Sequence, residues 1–201
     1  MILASGSPRR LALLEQIGIT PDLLHPAHVD ETPKNREQPR SLVKRLGQAK
    51  ARAAYAALRE EGKTGNAVIL AADTVVAVGR RVLPKPETVD DAADCLSLLS
   101  GRNHRVFTSV CIISPEGKLR QKIVDTRLRF KRLSKQEFES YLASGEWRGK
   151  AGGYAIQGRA GCFIIRLVGS YTGVVGLPLY ETAGLLQSAG YPITANWQDA
   201  L

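Results

Sequence analysis

The chain has 201 residues, 44% of them hydrophobic and 23% charged, a mixture that can bury a core and excludes a fibrous or disordered protein. A formal charge of +9 favours an anionic partner: nucleic acid, a membrane surface or a phosphorylated small molecule. The basic residues form no Lys/Arg block and only 6% of residues are aromatic, which weighs against a nucleic-acid arm and for a discrete site.

In chain order, MILAS reads as a short strand, followed by a Ser-Gly-Ser-Pro turn and a helix with Leu11, Leu14 and Ile17 at helical spacing and Gly18 as its stop. Residues 21–40, broken by Pro21, Pro26, Pro33 and Pro39, read as a strand edge and an exposed loop carrying Asp30 and Glu31. A helix is expected from about Ser41 to Glu61. The run Ala67–Gly79 reads as a strand pair or one bent strand around a lone Asp73, a costly place for an idle carboxylate.

A turn with Lys85 between two prolines leads into a helix whose N-terminal half holds Asp90, Asp91 and Asp94, as the helix dipole favours. HRVFTSVCIIS and KIVDTRLRFKRL read as antiparallel strands, and SKQEFESYLAS as a helix with a Ser134–Glu137 capping box. CFIIRLVGS follows as a strand and GLPLYETAGLLQSAG as a helix stopped by Gly190. The expectation is one α/β domain over 1–201 with a central mixed β-sheet flanked by helices. Cys95, Cys111 and Cys162 lack CxxC spacing and sit among apolar neighbours, so all three are expected to be buried thiols of a reducing compartment. No signal peptide is visible and no window approaches the roughly 18 apolar residues of a membrane span; a cytoplasmic protein is expected.

Familiar nucleotide motifs fail. EGKTG lacks the P-loop's earlier glycine, since that position is Ala57; GGYAIQG is not GxGxxG; no GxSxG occurs; His25 and His28 lack an HExxH context. What remains is a scattered polar set. Ser5, Ser7, Arg9 and Arg10 form either a solvated helix start or a phosphate site made of free N–H groups and guanidinium forks. Asp73 is a metal ligand, a general base or a turn cap; Lys85 is an aimed cation or an exposed turn lysine; Lys50 and Glu31 taken alone read as solvated. GKAGGYAIQG places Gly149, Gly152, Gly153 and Gly158 around Lys150, Tyr154 and Gln157, either a tight connection or a glycine-walled pocket whose amide reads a base edge. Together these parts suit a nucleotide hydrolase or transferase without a P-loop.

LASGSPRR, ADTVV, LPKP, SGRNHRVFTSV, SGEWRGKAGGYAIQGRAGCFI and GSYTGVVGLPLYET, in this order over nearly the whole chain, closely resemble the Maf family of nucleoside triphosphate pyrophosphatases. The resemblance implies two lobes around a deep cleft, as in inosine triphosphate pyrophosphatases, and hydrolysis of a nucleoside triphosphate to the monophosphate and pyrophosphate with a divalent cation, Mg2+ or Mn2+. It implies Asp73 as proton acceptor, Arg9, Arg10, Lys50 and Lys85 as phosphate-facing cations with Ser5 beside them, Thr74 and Gln157 as positions of substrate choice, and Glu31 with Asp73 at the metal. The glutamine of YAIQG resembles the branch acting on dTTP and UTP, and modified pyrimidine triphosphates are included in the expectation. The implied partner is the nucleotide, with no stable nucleic acid and no membrane, while a homodimer stays open. The alternative is a non-catalytic nucleic-acid-binding or septum-regulating protein.

Overall fold

The computed structural model describes residues 1–197; residues 198–201 of the expected domain lie outside the described residues. One mixed sheet runs in the order β2-β1-β3-β5-β6-β7, formed by Leu23–Leu24, Ile2–Leu3, Ile69–Val78, Asn103–Ile113, Leu119–Phe130 and Ile164–Val168, with β4 (Arg81–Leu83) also paired to β3. β1 lies parallel to β2 and β3, and the remaining pairings are antiparallel. The mixed sheet is therefore the expected one.

Local chemistry sets the element boundaries. α1 (Pro8–Gln16) opens on Pro8, whose missing N–H costs nothing at a helix start, and Gly18 beyond it adopts φ +72. α2 (Pro39–Glu60) starts before the expected Ser41 for the same reason, with Pro39 in its first turn. β3 is a single strand, and Gly79 at φ +60 turns the chain back into β4, a hairpin absent from the sequence expectation. α3 (Val89–Leu99) is held by a Thr88–Asp91 capping box and α4 (Lys135–Ala143) by the Ser134–Glu137 box. A short α5 (Tyr171–Val175), not expected, precedes α6 (Leu179–Ser188).

α2 covers one face of the sheet. Its Ala51, Ala54 and Leu58 pack on Ile69, Ala71, Cys111 and Ile113, while Leu42, Val43 and Leu46 pack on Val75, Ala77 and Phe107. Gly47 permits this close approach, since a Cβ there would lie 2.3 Å from Ser109 Oγ. On the other face Leu14 of α1 and Leu185 and Leu186 of α6 cover Leu70, Ala72, Val110 and Ile112. Further along, Leu96 and Leu99 of α3, Tyr141 of α4 and Trp147 surround Val106, Leu128 and Phe130. This alternation is what a strand with a helix layer on each face requires. No helix among the described residues is long and apolar enough to cross a membrane.

One cysteine departs from expectation. Cys95 and Cys111 are buried, and burial pushes both thiols up to about 11. Cys162 is exposed, because the 3-10 turn Arg159–Phe163 sends Phe163 into the core and leaves the thiol outside, where it donates to the Arg159 carbonyl at 2.9 Å.

His104 is 2% exposed, edge-on to Phe130 and Tyr154, with Nε2 at 2.8 Å from the Tyr154 hydroxyl. Burial lowers its pKa from 6.5 to about 4. The unfolded chain thus takes up a proton at His104 before the folded one does. Its contribution is complete above pH 6.5 and is lost as pH falls through about 4. Thermal melts should show a loss on the order of 3 kcal/mol across that window, at about 1.4 kcal/mol per pH unit. His104→Gln should flatten this slope; an unchanged slope would assign the acid loss to other groups.

Candidate active site

The site begins at a gap in the sheet. β1 pairs with β3 at Ile69 and Leu70, and β4 pairs with β3 from Val76 to Val78, both away from the β5 ladder. Between them, Ala71–Val75 has no β1 or β4 partner, and side chains from both layers meet there. Strand alternation directs Asp73 to Lys50 of α2 and Thr74 to Arg10 of α1.

Asp73 is 4% exposed. Lys50 Nζ donates to Asp73 Oδ1 and Glu31 Oε1, both at 2.5 Å, and Lys85 Nζ donates to Glu31 Oε2 at 2.9 Å. Desolvation alone would raise the Glu31 pKa, but hydrogen bonds from Lys50 and Lys85 outweigh it and hold the carboxyl at about 2. Glu31 and Lys50, solvated when each is taken alone, are thus joined to Asp73 by contacts that cross from the 25–38 loop to α2 and β3.

The paired arginines have different surroundings. Arg10 Nε donates to the Gly176 carbonyl at 2.9 Å, Nη1 to Ser5 Oγ at 3.0 Å and Nη2 to Thr74 Oγ1 at 3.4 Å. Thr74 continues to Thr108 at 3.1 Å, and Thr108 donates to the Gly173 carbonyl at 2.7 Å. Arg9 makes one long contact, Nη2 to the Gly149 carbonyl at 3.4 Å, and leaves most of its donors available. Desolvation lowers the pKa of both guanidiniums.

The glycine-rich segment forms the facing wall. Gly152, at φ +70, lies so close to β3 that a Cβ would come within 2.9 Å of Val76, and its N–H donates to the Pro84 carbonyl beside Lys85. Glu146 accepts from the Arg159 N–H at 2.9 Å and the Ala160 N–H at 3.3 Å, which fixes the turn after Gln157. Gln157 itself is exposed, and its amide makes no hydrogen bond among the described residues. Lys150 Nζ is taken up by the Glu146 carbonyl at 2.5 Å and the Arg148 carbonyl at 3.3 Å.

These walls enclose a cleft of about 140 Å³ whose lining includes Ser7, Arg9, Arg10, Lys50, Asp73, Thr74, Lys85 and Gln157. Ser5 and Glu31 reach it through Arg10 and the two lysines. Glu146 and Thr108 were not anticipated; a lone acid before Trp147 and a threonine inside an apolar strand carry no local signal of these long-range bonds. Glu31 and Asp73 supply hard carboxylate oxygens, and no group of three or more His, Cys, Asp or Glu side chains able to hold a metal occurs among the described residues. Lysines donate to both Glu31 oxygens and to Asp73 Oδ1, so the pair fits an Mg2+-type ion once Lys85 releases Glu31 Oε2, with the other ligands coming from phosphates and water.

Residues 1–189 match the family model described as Maf-like protein. The chain is 63% identical over 197 residues to a protein named dTTP/UTP pyrophosphatase from Brucella abortus (strain 2308), covering 98% of this chain and 95% of that protein. It is 62% identical over 200 residues to the protein of the same name from Mesorhizobium japonicum, covering 100% of this chain and 96% of the relative. Among solved structures, a nucleoside-triphosphatase / dITP/XTP pyrophosphatase from Mycobacterium abscessus matches at TM-score 0.41 and 19% identity, over 66% of this chain and 74% of that one. The Staphylococcus aureus Ham1 protein matches at TM-score 0.44 and 15% identity, over 64% and 70% of the two chains. The match along residues 1–189, together with relatives above 60% identity over nearly the full length, shows that the chain belongs to the Maf family.

Proposed function

We propose that the chain hydrolyses dTTP and UTP, with modified pyrimidine triphosphates as further substrates, to the monophosphate and pyrophosphate. The observation that carries this reading is that Lys50 and Lys85 bind the Asp73–Glu31 pair at a cleft whose lining also holds Arg9 and Gln157. The full-length relatives named dTTP/UTP pyrophosphatase support it and disfavour a non-catalytic nucleic-acid-binding or septum-regulating role.

In this reading Arg9 and Lys85 hold the triphosphate and offset the charge that moves onto the leaving pyrophosphate. Lys50 fixes Asp73 through Oδ1 and leaves Oδ2 to accept a proton from water. Water forms a bond to a phosphorus of the α–β anhydride, the P–O bond to the bridging oxygen breaks, and the water proton passes to Asp73. Glu31 and Asp73 would hold Mg2+ or Mn2+, which supplies Lewis-acid polarisation of a phosphoryl oxygen. Gln157, with one donor group and one acceptor, suits the paired carbonyl and N–H of a uracil or thymine edge. A cleft of 140 Å³ is smaller than the roughly 300–1,000 Å³ of small-molecule sites. The Lys85–Glu31 and Arg9–Gly149 contacts must therefore part as substrate enters. Two buried thiols are consistent with a reducing, cytoplasmic setting.

The test is a panel of dTTP, UTP, the other canonical triphosphates and 7-methyl-GTP with Mg2+ or Mn2+. Equimolar monophosphate and pyrophosphate from dTTP and UTP, with 7-methyl-GTP inert and activity lost on chelation, is the expected result. Orthophosphate release, or no turnover of any triphosphate, would overturn the reading.

A further inference from the structure

A second cavity, about 780 Å³, lies between the start of α2 at Gln38–Arg40, the β3–β4 turn at Gly79 and Arg80, and residues of β5, β6 and β7, and it shares no lining residue with the cleft. Six arginines line it: Arg40, Arg80, Arg105, Arg127, Arg129 and Arg166. Its single lining carboxylate is Asp125, which reaches Arg105 at 3.4 Å. With its amide turned to suit, Gln38 accepts from Arg80 at 2.5 and 3.1 Å. Arg40, Arg127, Arg129 and Arg166 are exposed and make no side-chain hydrogen bond or ion pair among the described residues.

The sheet register makes this concentration of charge costly. Arg105 lies directly opposite Arg127 across β5 and β6, and Arg129 lies directly opposite Arg166 across β6 and β7. Like charges at directly opposed positions destabilise a sheet. An anion with several charged oxygens would reverse that cost, because each planar guanidinium can give two parallel hydrogen bonds to a phosphate.

We propose that this cavity is a second anion site, which takes a small molecule carrying two or more linked phosphates. The proposal does not depend on the reaction assigned to the cleft. The volume falls within the roughly 300–1,000 Å³ of small-molecule sites. The one Phe, Tyr or Trp in the lining, Phe107, is 5% exposed, so there is no stacking platform for a single-stranded nucleic acid. A second copy docked symmetrically on this face would set the same arginines against each other.

The test is calorimetric titration of the full chain, first with sodium tripolyphosphate and then with the α,β-methylene analogue of UTP. Two tripolyphosphate sites are expected in the wild type. Arg127→Gln/Arg129→Gln/Arg166→Gln should remove one, and Arg9→Ala/Lys85→Ala should remove the other. Arg166→Gln alone, on the exposed edge strand β7, should weaken the second site roughly tenfold, as the loss of a charge-assisted contact implies. The triple variant should melt no lower than the wild type, because opposed like charges are removed. Methylene-UTP at both sites would make the ligand a nucleotide, and methylene-UTP at the cleft alone would make it an inorganic oligophosphate; either supports the site. A single tripolyphosphate site in the wild type that Arg9→Ala/Lys85→Ala removes would overturn it, as would binding left undiminished by the triple arginine variant. Single-stranded RNA held on this face while tripolyphosphate fails to compete would overturn it in favour of a nucleic-acid surface.

Discussion

Asp73→Asn should lower kcat for dTTP and UTP by about 10²–10⁴ or more, the range for loss of a general base, with KM little changed and the fold retained. The substitution is nearly isosteric, so β3 keeps its packing between α2 and the opposite layer. Asn cannot take the water proton. Its amide oxygen still accepts from Lys50, and Lys50 keeps the Glu31 carboxylate on its other side, so no buried cation is left without a counter-charge. The stability cost should stay within about 1–2 kcal/mol, below the 3–5 kcal/mol that follows when a buried pair is broken outright. Steady-state kinetics with thermal melts separates the two effects. A kcat within about tenfold of wild type would remove Asp73 from proton transfer and leave it as an anchor for Lys50.

What the sequence disclosed here was local chemistry. The Ser134–Glu137 box is legible because both of its partners lie within four residues, and Asp73 is legible because apolar flanks make an idle carboxylate expensive. The gap that gives Asp73 its surroundings is not local. It exists because β1 is two residues long and β4 pairs further along the same edge of β3, and neither fact follows from periodicity. Glu31 and Lys50 are unremarkable separately, and only the fold makes them one cluster. Cys162 followed its apolar neighbours in the sequence but not in space, since a tight turn rather than a strand sets its direction. The arginine cavity left a partial trace: Arg127 and Arg129 flank Leu128 at strand alternation, marking one polar face of β6, but the opposing Arg105 and Arg166 become neighbours only through the register.

The same contrast between local and long-range chemistry separates the two arginines that follow Pro8. Adjacent positions on a helix point about 100° apart, and here both side chains line the cleft but take different partners. Arg10 turns inward and ties α1 to Gly176, Ser5 and Thr74, three segments distant in sequence or secondary structure. Arg10→Ala should cost about 2–4 kcal/mol by leaving the Gly176 carbonyl and its neighbours without a donor. In a chain of this length that lowers Tm by roughly 5–15 °C. Arg10→Lys should fail to rescue it, because an ammonium cannot span three acceptors in a fork. Arg9, with one long contact to Gly149, should melt within about 1 kcal/mol of wild type when changed to alanine. Its kcat/KM for dTTP or UTP should nevertheless fall about 10²–10³-fold, the scale of removing one preorganised donor from developing charge. Arg9→Lys should recover part of that loss, since a point charge still attracts phosphate. Melting curves and kcat/KM on the four variants decide the matter. If Arg9→Ala melts as low as Arg10→Ala, or turns over as well as wild type, Arg9 belongs to the helix start and not to the triphosphate.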